Sequence, residues 1–129
     1  MARIDRDQIF HLLKSRRRRL VLDVLDRSNG RMRFRDLVES VASREYDTTR
    51  DRLDSTKRKR TYNALYQTHI PALADVGVVD YNSRSPRGTI RLGERATDVL
   101  FYLRIDPTQQ MTSVSDRVEK VIDRLVRWL

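Results

Sequence analysis

The segment from Lys57 to Leu92 constrains this chain most. Four basic residues, Lys57, Arg58, Lys59 and Arg60, lead into Thr61 to Val76. Gly77 follows, then the strand-like Val78-Val79-Asp80-Tyr81, a turn from Asn82 to Gly88 and a second strand, Thr89 to Leu92. Turning residues through ~100° per position puts Tyr62, Leu65, Tyr66, His69, Leu73 and Val76 on one arc. Lys57, Arg60, Asn63, Ala64, Gln67 and Pro71 fall on the opposite one. One face packs and the other looks outward. Pro71 lacks the N–H that would reach the carbonyl of Gln67, which predicts a kink or break near His69, and Gly77 is a natural stop.

The segments before it read as a small helical core. Asp5 can cap a helix from Arg6 to Leu13, and Ser15 a second from Arg16 to Asp26 with Leu20, Val21, Val24 and Leu25 in one stripe. Asn29-Gly30 ends it. Arg31, Met32 and Arg33 form a candidate strand for pairing with the hairpin, and Asp36 to Ala42 a third helix with Leu37, Val38 and Val41 inward. The polar stretch from Glu45 to Ser55 reads as a long loop or weak turn. After the hairpin, Glu94 to Leu103 reads as a helix with Ala96, Val99, Leu100 and Leu103 in register, and Pro107 breaks it. Ser113, three residues before Asp116, resembles a capping box opening a last helix. There Met111, Val114, Val118, Val121, Leu125 and Trp128 alternate steps of three and four, widened by Ile122 and Leu129.

A chain of 129 residues has room for one modest core. Its formal charge of +9 makes a polyanion or an anionic surface the natural partner. Basic charge is nearly all arginine and acidic charge mostly aspartate, a bias like that of salt-loving archaeal proteins. With no cysteine, disulfides, thiolate metal sites and thiol catalysis are excluded, and a reducing, cytoplasmic location is compatible. No apolar run approaches the ~18 residues of a spanning helix. There is no HExxH, Gly-rich phosphate loop, GxSxG or spaced ligand set, so the expectation is no enzyme, no metal and no cofactor.

Arg60, Asn63 and Gln67 have base-reading chemistry at one-turn spacing: arginine pairs with guanine, and Asn or Gln with adenine, in a major groove that admits a helix. Any solvated helix face can carry such residues. The basic lead-in and the hairpin behind it tip the balance. Arg84, Arg87 and Arg91, in or beside a tip of Ser83, Ser85, Pro86 and Gly88, suit phosphate contact or a narrow minor groove, although hairpin tips are polar in most proteins. Arg16 to Arg19 spread around their helix. Arg19 with Asp23 and Asp23 with Arg27 can pair at i,i+4, and arginines at a helix N-terminus can also hold a phosphate. His69, on the packed arc, reads as a hydrogen-bonded core histidine. The last helix reads as a dimer handle or as a helix packed on its own domain. Asp116, Glu119 and Asp123 on its polar face oppose anionic lipid.

The phrase Thr68-His69-Ile70-Pro71-Ala72-Leu73-Ala74-Asp75-Val76-Gly77-Val78-Val79-Asp80-Tyr81 resembles the end of the recognition helix and first wing strand of ArsR-like winged-helix regulators. Leu12 to Leu25, leucine, then arginines, then an aliphatic stripe, resembles the early part of the same superfamily. The nearest likeness is to a small winged-helix domain of unknown function common in halophilic archaea. Over residues 6 to 95, that resemblance implies a three-helix core with a two-stranded wing and DNA binding as a homodimer. Without cysteine, the thiolate sensing of metal-responsive members does not carry over.

The expectation is a mainly α fold with a small β-hairpin wing: a winged helix-turn-helix over residues 1–105, then a linker and C-terminal amphipathic dimerisation helix over 106–129. As a sequence-specific regulator of transcription on double-stranded DNA it would read bases with Arg60, Asn63 and Gln67. It would hold phosphates with Lys57, Arg58, Lys59, Arg84, Arg87 and Arg91, and dimerise through Val114, Val118, Val121, Ile122, Leu125 and Trp128. A nonspecific chromosome or RNA binder and a winged-helix protein-docking module are the alternatives.

Overall fold

The structure is a computed structural model that describes residues 4–81, 88–105 and 126. It is mainly helical, with one three-stranded antiparallel sheet. Helix α1 spans Arg6–Leu13, α2 Arg16–Arg27 and α3 Phe34–Glu45. A long helix follows in three parts: α4 (Ser55–Ala64), a π turn (Leu65–His69) and α5 (Ile70–Asp75). Strands β1 (Arg31–Arg33), β2 (Val79–Asp80) and β3 (Thr89–Leu92) lie in the order β1-β3-β2, and α6 (Ala96–Ile105) closes the described fold.

The helix starts follow from their caps. Asp5 and Gln8 form a reciprocal capping box on α1, and the Ser15 and Asp54 side chains accept from Arg18 and Lys57 amides. At the far end of α2 the chain turns back through Asn29 (φ 59°) and Gly30 (φ 81°), and the Gly30 N–H donates to the Leu25 carbonyl. This delivers β1 beside β3, with Arg31 opposite Arg91, Met32 opposite Ile90 and Arg33 opposite Thr89. Met32 and Ile90 therefore face the helices, and the three arginines face out.

One continuous core joins the elements. Val21, Leu22 and Leu25 of α2, Phe34, Leu37 and Val41 of α3, Leu65, Leu73, Val78, Ile90 and Val99 are all at or near zero exposure. Phe34 stacks with Tyr81 at 5.0 Å between ring centroids and meets Tyr62 edge-on at 5.5 Å, so an aromatic group ties α3, α4 and the hairpin together.

The kink expected near His69 takes a particular form. The Ile70 N–H donates to the Leu65 carbonyl, five residues back, and Pro71 enters directly after this widened turn. A π turn adds one residue to the same number of turns, which sets everything downstream back by roughly 100° relative to uniform α winding. Ile70, on neither arc of a uniform wheel, comes to 1% exposure, while Val76 is only partly buried.

Three expectations about the first half of the chain need correcting. Helix α3 is longer than Asp36 to Ala42 because Phe34 and Glu45 both make contacts that hold its ends. Arg19 does not pair with Asp23. Its guanidinium donates to the Leu13 carbonyl at 2.6 Å, and Asp23 takes Arg27 at 3.0 Å and Arg44. Arg18 is buried, donating to the Leu12 carbonyl at 2.8 Å and the His11 carbonyl at 3.1 Å. These arginines therefore satisfy the open carbonyls at the end of α1, where the macrodipole favours cations, and they are not free for phosphate. Burial lowers the Arg18 pKa from its ordinary value.

Two glycines are required by geometry. Gly77 adopts φ 78° to stop α5, with Val78 N–H returning to the Leu73 carbonyl. Gly93 lies so close to the chain at Gly77 that a β-carbon there would stand 2.3 Å from the Gly77 carbonyl oxygen, and its own N–H donates to Val78 at 2.7 Å.

Candidate nucleic-acid interface

Glu45 ties α3 to both α2 and α4. Glu45, at the end of α3, accepts from Arg17 Nε of α2 at 2.7 Å and from the hydroxyl of fully buried Thr61 at 3.1 Å, while its backbone carbonyl receives Arg16 at 3.4 Å. One carboxylate thus joins three helices. Sequence reasoning missed Thr61, a polar residue between the two arcs, because only its partner makes it suitable for burial.

The outward face of this long helix carries Lys59, Arg60 and Asn63 on α4 and Gln67 in the π turn, all exposed. No side-chain partner occupies Arg60, Asn63 or Gln67 among the described residues. The basic lead-in divides. Lys59 and Arg60 have no partner among the described residues, whereas Lys57 lies over the Tyr46 ring at 5.3 Å and Arg58 approaches Glu39 at 3.5 Å. Arg91 projects from β3 and meets Asp80 of β2 at 3.7 Å, an exposed pair that costs little to open. Arg84 and Arg87 lie outside the described residues, as do the whole set proposed for dimerisation, Val114, Val118, Val121, Ile122, Leu125 and Trp128, and the 113–116 capping box.

Further cations were not singled out from the sequence. Arg31 stands opposite Arg91 across the β1–β3 pair, and Arg33 is on the same face two residues on. Like charges directly opposite each other are unfavourable in a sheet. A nearby anion relieves them, and Asp80 does so only for Arg91. The signal was available: once Met32 is assigned inward, period-two alternation turns Arg31 and Arg33 outward.

His69 sits in the π turn, half-buried, and its Nδ1 has no hydrogen-bond partner, unlike the bonded core histidine expected. Burial, then the nearby Arg18 and Arg17, hold its pKa below the ordinary imidazole value. The buried Tyr81 hydroxyl also lacks a partner, and burial pushes its pKa up to about 12. Among the described residues no three His, Cys, Asp or Glu side chains cluster as a metal site, and no helix is long and apolar enough to cross a membrane.

These features define a small, mainly helical domain with a sheet-borne hairpin and an exposed, cation-rich helix face. The chain belongs to the family described as a domain of unknown function (DUF7344), which it matches over residues 10–91, from late α1 into β3. No curated protein and no solved structure matches it.

Proposed function

We propose that this protein is a winged helix-turn-helix DNA-binding regulator of transcription, acting as a homodimer. The observation that carries the reading is the exposed, unpartnered arc of Arg60, Asn63 and Gln67 on a helix that runs through one turn into an antiparallel hairpin. In this reading α3 and α4 are the helix-turn-helix, α4 enters the major groove, and β2 and β3 are the wing. Arg31, Arg33 and Arg91 on the outer sheet face, with Lys59 on α4, supply cations for phosphates. Arg84 and Arg87 belong to the proposed wing tip.

Self-association draws support from an apolar patch on α1 and α6. Phe10 of α1 is 52% exposed, Phe101 of α6 59% and Ile105 49%, and the rings of Phe10 and Phe101 both meet that of Tyr102. Such a patch, together with the amphipathic 111–129 segment, suits a two-fold dimer that spans half-sites about 34 Å apart.

Fluorescence anisotropy across a salt series, with a random duplex, a single strand and the duplex upstream of the gene, tests the reading. Tightest binding to the upstream duplex, with a log–log salt slope near −0.9 per phosphate neutralised, is the expected result. Equal binding to all three would replace it with a nonspecific nucleic-acid binder, and no binding at low salt with a docking module.

A further inference from the structure

Between the start of α3 and the flank of α4 lies a cleft of about 600 Å³. Phe34 and Tyr62 form an aromatic floor, and Arg33, Arg35 and Arg58 stand around it with a single acid, Glu39. Three guanidiniums thus share one carboxylate, and that carboxylate is already engaged. Arg50, from the loop before α4, donates to Glu39 through Nε at 3.1 Å and spans to Asp36 at 3.2 Å. Arg35 and Arg58 lie 3.9 Å and 3.5 Å from the other Glu39 oxygen, and neither makes a hydrogen bond to it. The Arg58 Nε is buried without a hydrogen-bond partner. Helix α3 opens without a side-chain cap, since Arg33 occupies that position, so its dipole adds to the positive potential.

We infer that this cleft binds a small organic anion with a flat aromatic body, its charged group held between Arg35 and Arg58 and its ring against Tyr62. Unspent guanidinium donors on two helices match an oxyanion, and a surplus of cations in a half-enclosed site strengthens the pairing. The aromatic floor selects against bare phosphate. On the helical wheel Arg58 and Tyr62 lie roughly opposite Arg60, Asn63 and Gln67, so the ligand leaves the outer arc uncovered. It bridges α3 to α4 and shifts the angle at which α4 is presented. This regulatory consequence rests on the DNA-binding reading above, whereas ligand binding itself does not.

The test uses the full chain, phenyl phosphate as probe, and inorganic phosphate and phenol as its two halves, in a ¹H–¹⁵N NMR titration. Saturable shifts confined to residues 33–39 and 58–62 are expected, with phenyl phosphate at least about tenfold tighter than either half. R35A, whose side chain is 86% exposed and whose loss leaves the core intact, should weaken it about fivefold or more, and R91A should not. Phosphate binding as well as phenyl phosphate, or R91A weakening it as much as R35A, would overturn the cleft in favour of diffuse charge attraction. Saturating phenyl phosphate should also change duplex affinity in the native chain and not in R35A. A native chain that binds duplex but not phenyl phosphate refutes the cleft alone. One that binds phenyl phosphate but no duplex refutes the DNA reading and leaves the cleft standing.

Discussion

Replacing Gly93 by alanine tests whether the junction of hairpin and α6 is as tight as the geometry says. The added β-carbon would stand 2.3 Å from the Gly77 oxygen and 3.0 Å from its carbonyl carbon. That is more than 1 Å inside an ordinary contact of ~3.5 Å, and the obstacle is backbone at the end of α5, not a side chain that can swing away. Overpacking of this kind costs about 1–3 kcal/mol, and stretching the Gly93 N–H bond to Val78 adds about 1 kcal/mol. Alanine stiffens the unfolded chain and returns about 0.4–1 kcal/mol. The net expectation is a loss of about 2–3 kcal/mol, seen as a drop in Tm of roughly 10 °C for a domain of this size. Thermal and urea unfolding followed by circular dichroism measure it, with Gly30→Ala as comparison. There the added carbon meets the Leu92 side chain, at 3.6 Å and beyond, and the cost is the strain of φ +81°, about 1 kcal/mol. A G93A melt within about 2 °C of the native chain would refute the reasoning, since no clash of that depth between backbones could then exist.

Arg18→Leu should destabilise the fold by about 2–3 kcal/mol in urea titrations, because two α1 carbonyls lose a charged donor, and R18K should recover little since one ammonium does not reproduce the fork. The double variant N63A/Q67A should melt with the native protein yet lose preference for the upstream duplex over a random one, and full retention of that preference would rule these residues out as readers. For His69 the folded pKa lies below the unfolded value, so the unfolded state takes up the proton first as pH falls. Stability is therefore complete above about pH 6.5 and declines from there toward the folded pKa. H69Q should flatten that decline in urea midpoints measured between pH 7.5 and about 5, and an unchanged slope would assign it to other groups.

The starts of α1 and α2, the stops at Gly30 and Gly77, the apolar stripes and the β1 to β3 pairing were legible in the sequence because each depends on local chemistry: Asp5, Ser15, Gly30 and Gly77 act within a few residues of themselves, whereas the ends of α3 and α6 were not. Arg60 and Asn63 were legible because they precede the π turn and follow plain α winding, and Gln67, early within the turn, is exposed as they are. What the chain did not disclose depends on partners distant in sequence. Arg17 and Thr61 meet only through Glu45, and Arg58 is drawn toward Glu39 while its neighbour Lys59 has no partner among the described residues. The arginine run at Arg16 to Arg19 offered i,i+4 pairing or a phosphate hold, and the bonds of Arg18 and Arg19 to the open carbonyls of α1 show only once that helix end is placed beside them. The Gly93 contact was equally invisible, since it joins the exit of one strand to the stop of a helix.

The π turn behaves as a phase shifter within a single helix. Upstream of it, side chains keep time with the outward arc; downstream, Ile70 and Leu73 keep time with the core, and Gly77 and the strands inherit that second phase. Deleting one residue between 65 and 69 would restore uniform winding and swing everything beyond by roughly 100°. The azimuth of the hairpin about the helix axis is therefore set by one supernumerary residue. Among chains of this family, a length difference of one at this turn would redirect the hairpin without moving Arg60 or Asn63, which precede it.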